Sequence, residues 1–250
     1  MQEHAADPHG ARAEAPRRAG YRYYPLVMAG FVTVLICSNV IGPGKVLEVD
    51  LPLLGTRVFS AGNLFFPLSY IFGDVMTEVY GYARARKIIW AGFGAMLFVT
   101  LMSFVILRLP GSPTEEYNAQ LQPALEMVFG NTWRITVGSI LAFWIGDFAN
   151  SFVLARMKVM TRGRWLWTRT IGSTIVGQGI DSLVFYPIAW YGIWEASSLT
   201  QVIASNWMIK VSIEVLFTPL TYLVVGWLKR AEQEDFFDYD TDFTPFSLKD

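Results

Sequence analysis

The sequence predicts an all-α integral membrane protein, a bundle of six transmembrane helices. Hydrophobic residues make up 53% of the 250 residues and charged residues only 16%, against roughly 25% charged residues in an average soluble protein. The apolar residues also cluster into long stretches instead of recurring on one face of a helix. Each stretch approaches or exceeds the roughly 20 residues that a transmembrane helix needs. The six predicted spans are residues 25–44, 62–80, 88–109, 132–155, 170–194 and 199–228.

The basic residues predict how these spans are oriented. Most Lys and Arg residues fall in the N-terminal tail, between spans two and three, between spans four and five, and directly after span six. The opposite side collects only Lys45, Arg57, Arg108 and Arg134. Because loops rich in Lys and Arg stay in the cytoplasm, both termini are predicted to be cytoplasmic.

The remaining segments predict one membrane domain, residues 25–230, between two tails. We expect residues 1–24 to form a disordered cytoplasmic tail, and residues 231–250 to form an acidic cytoplasmic tail without a fold. Partial alternation around residues 46–60 predicts a short β-hairpin-like loop on the outer face, between the first two helices. The connection over residues 110–131 is predicted to hold a short amphipathic helix.

Five acidic residues interrupt the predicted spans: Asp74, Glu78, Asp147, Asp181 and Glu214. A carboxylate near the bilayer centre costs roughly 2.5–3.5 kcal/mol on insertion scales. Each acid belongs to a stripe of polar residues on one helical face, and such stripes should face the interior of the bundle. The stripes are Asp74, Thr77 and Glu78; Asp147, Asn150 and Ser151; Thr174, Gln178, Asp181 and Ser182; and Asn206, Lys210 and Glu214.

Structural roles compete with functional ones in these stripes. Lys210 and Glu214 are one turn apart and can neutralise each other, whereas Asp74, Glu78 and Asp181 have no obvious partner in the sequence. The amides and hydroxyls can serve as interhelical hydrogen bonds, worth about 0.6 kcal/mol each. Close helix packing is the simplest interpretation of the span glycines Gly146, Gly172, Gly177 and Gly179.

Metal and cofactor chemistry finds little support. The two histidines, His4 and His9, lie in the N-terminal tail, and no Cys/His spacing typical of a metal site occurs. We therefore predict no metal and no cofactor.

Several motifs resemble a known family. Residues 66–81, Phe-Pro-Leu-Ser-Tyr-Ile-Phe-Gly-Asp-Val-Met-Thr-Glu-Val-Tyr-Gly, are similar to the signature of the bacterial queuosine precursor transporters, also called the vitamin uptake transporter family. Further matches are Ser38-Asn39 followed by Lys45, residues 146–151 with Lys158, and residues 169–173 leading to Gln178 and Asp181-Ser182. The resemblance covers residues 24–230 and leaves out both tails.

The resemblance implies a transporter of the bacterial inner membrane that is not an enzyme. Its cargo would be 7-cyano-7-deazaguanine (preQ0) or its aminomethyl relative preQ1, precursors of queuosine in tRNA. A guanine-like edge presents two adjacent donors, which one carboxylate can accept, and aromatic rings can stack on the heterocycle. The predicted substrate-binding residues are Asn39, Asp74, Glu78, Tyr80, Asn150, Gln178 and Asp181. Asp147, Lys210 and Glu214 are assigned to coupling or helix pairing, and Phe65, Tyr70, Tyr80, Phe185 and Tyr186 to stacking.

Two alternatives remain open. The chain can be the substrate-binding membrane subunit of an ATPase-energised vitamin uptake system, although it has no Gly-x-x-x-x-Gly-Lys-Ser/Thr motif of its own. It can also be an intramembrane aspartyl enzyme, although Ile71 replaces the first glycine of that class's Gly-x-Gly-Asp pattern. Lipid and the small-molecule substrate are the expected partners, nucleic acid is not, and a homodimer is compatible with so few helices. The driving force and the preference between preQ0 and preQ1 stay open.

Overall fold

The computed structural model describes residues 20–40, 46–51, 55–60, 65–112, 114–130, 133–193 and 195–247. Their elements are α1 (Tyr24–Val40), β1 (Val46–Leu51), β2 (Gly55–Ser60), α2 (Phe66–Tyr80), α3 (Tyr82–Arg108), α4 (Glu116–Phe129), α5 (Trp133–Met160), α6 (Leu166–Trp190) and α7 (Ala196–Glu232). Most of the N-terminal tail, residue Lys45 and the side chain of Tyr70 lie outside the described part of the chain.

The predicted helical membrane class is confirmed. Among the described residues, three helices are long and apolar enough to cross a membrane: α3, α5 from Arg134, and α7. The helices α1, α2 and α6 coincide with the other three predicted spans, and α4 lies in the connection over residues 110–131. That all six predicted spans cross the bilayer stays a prediction.

The connection between α1 and α2 contains two antiparallel strands. Strand β1 pairs with β2 in a register that joins Val46 to Ser60 and Leu51 to Gly55. The intervening residues 52–54 lie outside the described part of the chain. The face of the membrane on which this pair lies stays a prediction.

Helices α5 and α6 approach each other closely at two glycines. A Cβ atom on Gly177 would lie 2.7 Å from Cβ of Asn150 and 3.0 Å from the carbonyl oxygen of Gly146. A Cβ on Gly146 would in turn lie 3.0 Å from Cβ of Asp181. The predicted close-packing role of these glycines is confirmed, and the short distance brings the polar faces of the two helices together.

The C-terminal segment contradicts the expectation of a tail without a fold. The backbone N–H of Phe236 donates to the carbonyl of Val79 over 3.2 Å, and the Asp238 carboxylate accepts from the N–H of Tyr82 over 3.0 Å. Arg86 donates to the carbonyls of residues 242 and 244. Specific polar contacts, which composition cannot reveal, therefore attach residues 235–245 to the ends of α2 and α3.

The joint between α2 and α3 requires a glycine. Gly81 has φ +85°, and a Cβ atom there would lie 2.2 Å from the Phe236 ring. Only glycine combines this left-handed backbone with the close approach of an aromatic ring. The C-terminal segment thus packs directly over the point where the chain reverses direction.

Candidate functional site

Helices α2, α5 and α6 meet at a small cavity in the bundle, which is lined by polar stripe residues of α5 and α6. Its volume is about 10 Å³, close to the minimum for one water molecule. A two-ring heterocycle therefore does not fit unless the helices move, because ligand pockets usually measure roughly 300–1,000 Å³. The lining residues are Phe31, Ser69, Gly73, Met76, Ala85, Ile88, Ile89, Asp147, Asn150, Ser151 and Gln178.

Asp147 lines this cavity directly, and Asp74 is joined to it through Asn150. The Asp74 side chain is fully buried, and its Oδ1 accepts a hydrogen bond from Nδ2 of the cavity residue Asn150 over 2.9 Å. Asp74 Oδ2 and Asn150 Oδ1 have no hydrogen-bond partner within the described part of the chain. Two acceptors are thus left over between α2 and α5, which is an arrangement that a donor-rich ligand can complete.

A second contact joins the same two helices. Thr77 Oγ1 lies 3.1 Å from Ser151 Oγ, and both residues are buried. The two stripes therefore face each other, as their spacing predicts.

The predicted pairing of Lys210 with Glu214 is wrong. Lys210 Nζ instead donates across the helix boundary to Oδ2 of Asp181 over 2.5 Å, so the expectation that Asp181 lacks a partner is wrong as well. Glu214 is buried, and neither of its carboxylate oxygens has a hydrogen-bond partner among the described residues. Asp147 lies within electrostatic range of both Asp181 and Lys210.

The expectation that Glu78 lacks a partner is also wrong, because three basic residues surround its carboxylate. Arg169 Nε donates to its Oε2 over 2.7 Å and Arg169 Nη2 to its Oε1 over 2.8 Å. Lys229 Nζ lies 2.5 Å from the same Oε1, and Lys158 Nζ lies 3.7 Å from it. Because three cations already occupy this carboxylate, it has little capacity left for a ligand.

The ion network around Glu78 includes the C-terminal segment. Asp235 Oδ1 lies 2.5 Å from Lys158 Nζ and 2.8 Å from Lys229 Nζ. Burial acts to raise the pKa of Asp235, but hydrogen bonds from Lys158 and Lys229 prevail and lower it. Sequence reasoning missed this network because it took the basic residues at these positions only as a topology signal. The complete burial of the Lys158 side chain and the near-complete burial of Arg169 show a structural role as well.

Tyr80 makes a separate set of contacts at the end of α2 and does not line the cavity. Its hydroxyl donates to Oε1 of Glu232 over 2.9 Å, and its ring makes edge contacts with Tyr21 and Tyr24 at 4.9 and 5.2 Å between centroids. The burial of Tyr80 is complete. These contacts give the ring and the hydroxyl a packing role.

The other predicted ligands are distributed around the bundle. Gln178 is buried and lines the cavity. Asn39 Nδ2 donates to the carbonyl of Leu35 over 2.9 Å, near the end of α1. Phe185 and Tyr186, two of the proposed stacking residues, contact each other edge to face at 5.0 Å. Of the predicted residues, Asp147, Asn150 and Gln178 line the cavity, and Asp74 contacts it through Asn150.

Known proteins share most of this chain. A family model described as "Putative vitamin uptake transporter" matches residues 60–224. A "Probable queuosine precursor transporter" of Bacillus subtilis (strain 168) is 32% identical over 209 residues, which is 83% of this chain and 86% of the relative. The "Queuosine precursor transporter" of Escherichia coli (strain K12) is 27% identical over 205 residues, 81% of this chain and 83% of the relative.

A further relative, from Haemophilus influenzae, extends the pattern. It is called "Probable queuosine precursor transporter" and is 27% identical over 176 residues, 69% of this chain and 71% of its own. No solved structure matches the chain. The family match includes α2, α3, α5 and α6, and therefore both helices that join Asp74 to Asn150. The chain therefore belongs to the vitamin uptake transporter family.

Proposed function

We propose that this protein imports the queuosine precursors preQ0, preQ1 or both across the bacterial inner membrane, as a secondary transporter. The observation that carries the proposal is the 32% identity over 83% of the chain to a relative called a queuosine precursor transporter. A transporter also accounts for polar residues buried in apolar helices, because intramembrane ionisable groups commonly mark a solute pathway. Catalysis has no part in the proposal.

The proposed topology has six spans, α1, α2, α3, α5, α6 and α7, with both termini in the cytoplasm. In support, basic residues from two separate connections share one ion network: Lys158 and Arg169, on either side of the connection between α5 and α6, and Lys229, at the end of α7, all contact Glu78. These connections therefore lie at one end of the bundle, where the positive-inside rule puts the cytoplasm.

Substrate recognition is assigned to Asp74, Asn150 and Gln178, at the meeting point of α2, α5 and α6. The free acceptors on Asp74 and Asn150 suit the adjacent ring N–H and amino group of a deazaguanine. Gln178, which offers both a donor and an acceptor, can read the carbonyl edge. Asp181 and Asn39 are kept as contacts of an open state, whereas Glu78 and Tyr80 are reassigned to holding the cytoplasmic end together.

Transport by this site requires the helices to separate. The cavity of about 10 Å³ corresponds to a closed conformation that excludes the substrate from both sides. Two helices of the bundle contain an internal proline, Pro187 in α6 and Pro219 in α7. A proline removes one backbone hydrogen bond and permits bending, so we assign the opening to these two helices.

The decisive measurement is binding and exchange by the purified full-length protein. We expect proteoliposomes loaded with unlabelled preQ0 or preQ1 to take up the labelled compound, and guanine to compete more weakly. Asp74→Asn should lower affinity at least tenfold, because it exchanges an acceptor for a donor facing the substrate's donors. The exposed Asp240→Asn is the matched control. Failure of the parent protein to bind any deazaguanine would refute the proposed substrate.

The ATPase-energised alternative has its own test. Uptake should persist in proteoliposomes that contain this protein alone, and in cells that lack every vitamin-uptake ATPase module. Dependence on such a module would make the chain a substrate-binding subunit instead. The homodimer stays a prediction, which light scattering of the detergent-solubilised protein can check.

A further inference from the structure

Two buried carboxylates, on α2 and α7, have oxygens without a hydrogen-bond partner within the described part of the chain. Asp74 is 0% exposed and Glu214 is 1% exposed. One oxygen of Asp74 and both oxygens of Glu214 have no hydrogen-bond partner within the described residues. Buried polar atoms in this state are costly, and they commonly indicate an unseen proton, ion or water.

The two acids act on each other electrostatically. Helices α2 and α7 pack together, and Glu214 is the charged group that acts most strongly on Asp74. Glu78 and Asp147 add further negative charge at Asp74, while the contact from α5 is the neutral amide of Asn150. Two carboxylates in one buried site repel each other, so the closed site favours a proton on one of them, which opening to water can release.

The neighbouring cations are engaged by other acids. Arg169, Lys158 and Lys229 surround Glu78, and Lys210 is 2.5 Å from Asp181. No salt bridge to Asp74 or Glu214 occurs within the described part of the chain. The described residues thus offer no cation that pairs with these two acids, and a proton from the solvent can neutralise them.

A proton suits the pair better than a sodium ion. Sodium sites in transporters usually draw on unwound backbone carbonyls, whereas α2 is continuous through Asp74 and α7 through Glu214. A proton needs no such set of ligands, because it neutralises a buried carboxylate directly. From these contacts we infer that Asp74 and Glu214 form a proton-binding pair that couples substrate uptake to proton movement.

The inference rests on the proposed function and adds its driving force. Asn150 connects the pair to the cavity, because it donates to Asp74 and also lines the cavity wall. A substrate that donates to Asp74 favours its ionised form, and that charge is tolerated while Glu214 holds the proton. Substrate and proton therefore bind together, and release of one promotes release of the other.

Proton-driven uptake is the test. With one proton per substrate, an imposed gradient of one pH unit, acidic outside, supports up to about tenfold accumulation in proteoliposomes. We expect the parent protein to show it, together with alkalinisation of the outer medium on addition of preQ0, while a sodium gradient has no effect. In Glu214→Gln, uptake driven by the pH gradient should be no larger than uptake by substrate exchange, so that the ratio of the two falls to about one. The control is Glu195→Gln, at an exposed position just before α7, which should keep the ratio of the parent protein.

A second readout needs no substrate. Infrared difference spectra between acidic and alkaline buffer should contain the carbonyl band of a protonated carboxyl group, and that band should weaken in Glu214→Gln. If the parent exchanges substrate without any response to a pH gradient, or responds to sodium, the proton pair is wrong and the transport proposal survives. If the parent neither binds nor exchanges a deazaguanine but keeps the band, the transport proposal fails and the proton site survives.

Discussion

Arg169 binds Glu78 through two parallel hydrogen bonds, Nε to Oε2 over 2.7 Å and Nη2 to Oε1 over 2.8 Å. Both side chains are almost completely buried. The pair joins α2 to α6, and Lys229 adds α7 through a contact of 2.5 Å. Bidentate pairing of this kind is geometrically specific. It gives Glu78 a structural role at this end of the bundle, in contrast to Asp74, which lies one turn away along the same helix.

We therefore predict that Glu78→Gln destabilises the protein. The substitution leaves Arg169, Lys158 and Lys229 buried without their carboxylate, and breaking a buried pair costs about 3–5 kcal/mol. The apparent Tm in detergent should fall clearly, while the protein that remains folded keeps its affinity for substrate. Glu126→Gln, at an exposed position of α4, is the control. An unchanged Tm combined with lost binding would return Glu78 to the substrate site.

The contrast between Glu78 and Asp74 also shows how far sequence reasoning reaches. Helical spacing predicts that Asp74, Thr77 and Glu78 share a face, and the structure agrees. Spacing within one helix does not show what a neighbouring helix presents to each residue. Asp74 meets an amide on α5 and Glu78 meets a guanidinium on α6, so two acids one turn apart acquire different roles.

Lys210 illustrates the same limit in the opposite direction. Its one-turn distance from Glu214 predicts a pair within α7, yet its side chain reaches Asp181 on α6. The C-terminal segment is a third case. Its acidic composition predicts disorder, whereas in the structure its carboxylates contact buried cations. In each instance the missing information is a contact between residues far apart in the sequence.

Asp235 should make stability depend on pH. Its pKa is lowered in the folded protein by Lys158 and Lys229, whereas an unfolded Asp titrates near about 3.9. A lowered folded pKa contributes stability that is present above the unfolded value and is lost as the pH falls through the folded value. The Tm difference between the parent and Asp235→Asn should therefore be largest near neutral pH and shrink in acid.

The magnitude should be small, because the Asp235 side chain is 46% exposed and solvent screens its ion pairs. Asp240→Asn, at an exposed position in the same segment, should show no comparable pH dependence. A Tm difference for Asp235→Asn that stays constant with pH would mean that the residue acts through packing alone.

The contact between α5 and α6 predicts opposite outcomes for two glycines. Gly177→Ala places a Cβ atom 2.7 Å from Cβ of Asn150, so the helices must separate, at a cost of about 1–3 kcal/mol. Gly226→Ala on α7 meets no atom within 4 Å and should be neutral or stabilising by about 0.5–1 kcal/mol. Thermal unfolding of the two variants in detergent checks both signs, and equal Tm values would contradict the close approach.

The pair of Lys210 and Asp181 should behave as a coupled unit. Lys210→Met alone leaves the Asp181 carboxylate without this partner, and Asp181→Asn alone leaves the buried ammonium group without this carboxylate. Each single variant should destabilise the protein more than the double variant, in which neither charge of the pair remains. A double-mutant cycle on apparent stability should give a coupling energy of about 0.5–3 kcal/mol. Strictly additive effects would show that the 2.5 Å contact contributes nothing. If substrate exchange is abolished in the double variant although its Tm is restored, Asp181 also serves the transport pathway, because recovered folding then separates the two roles.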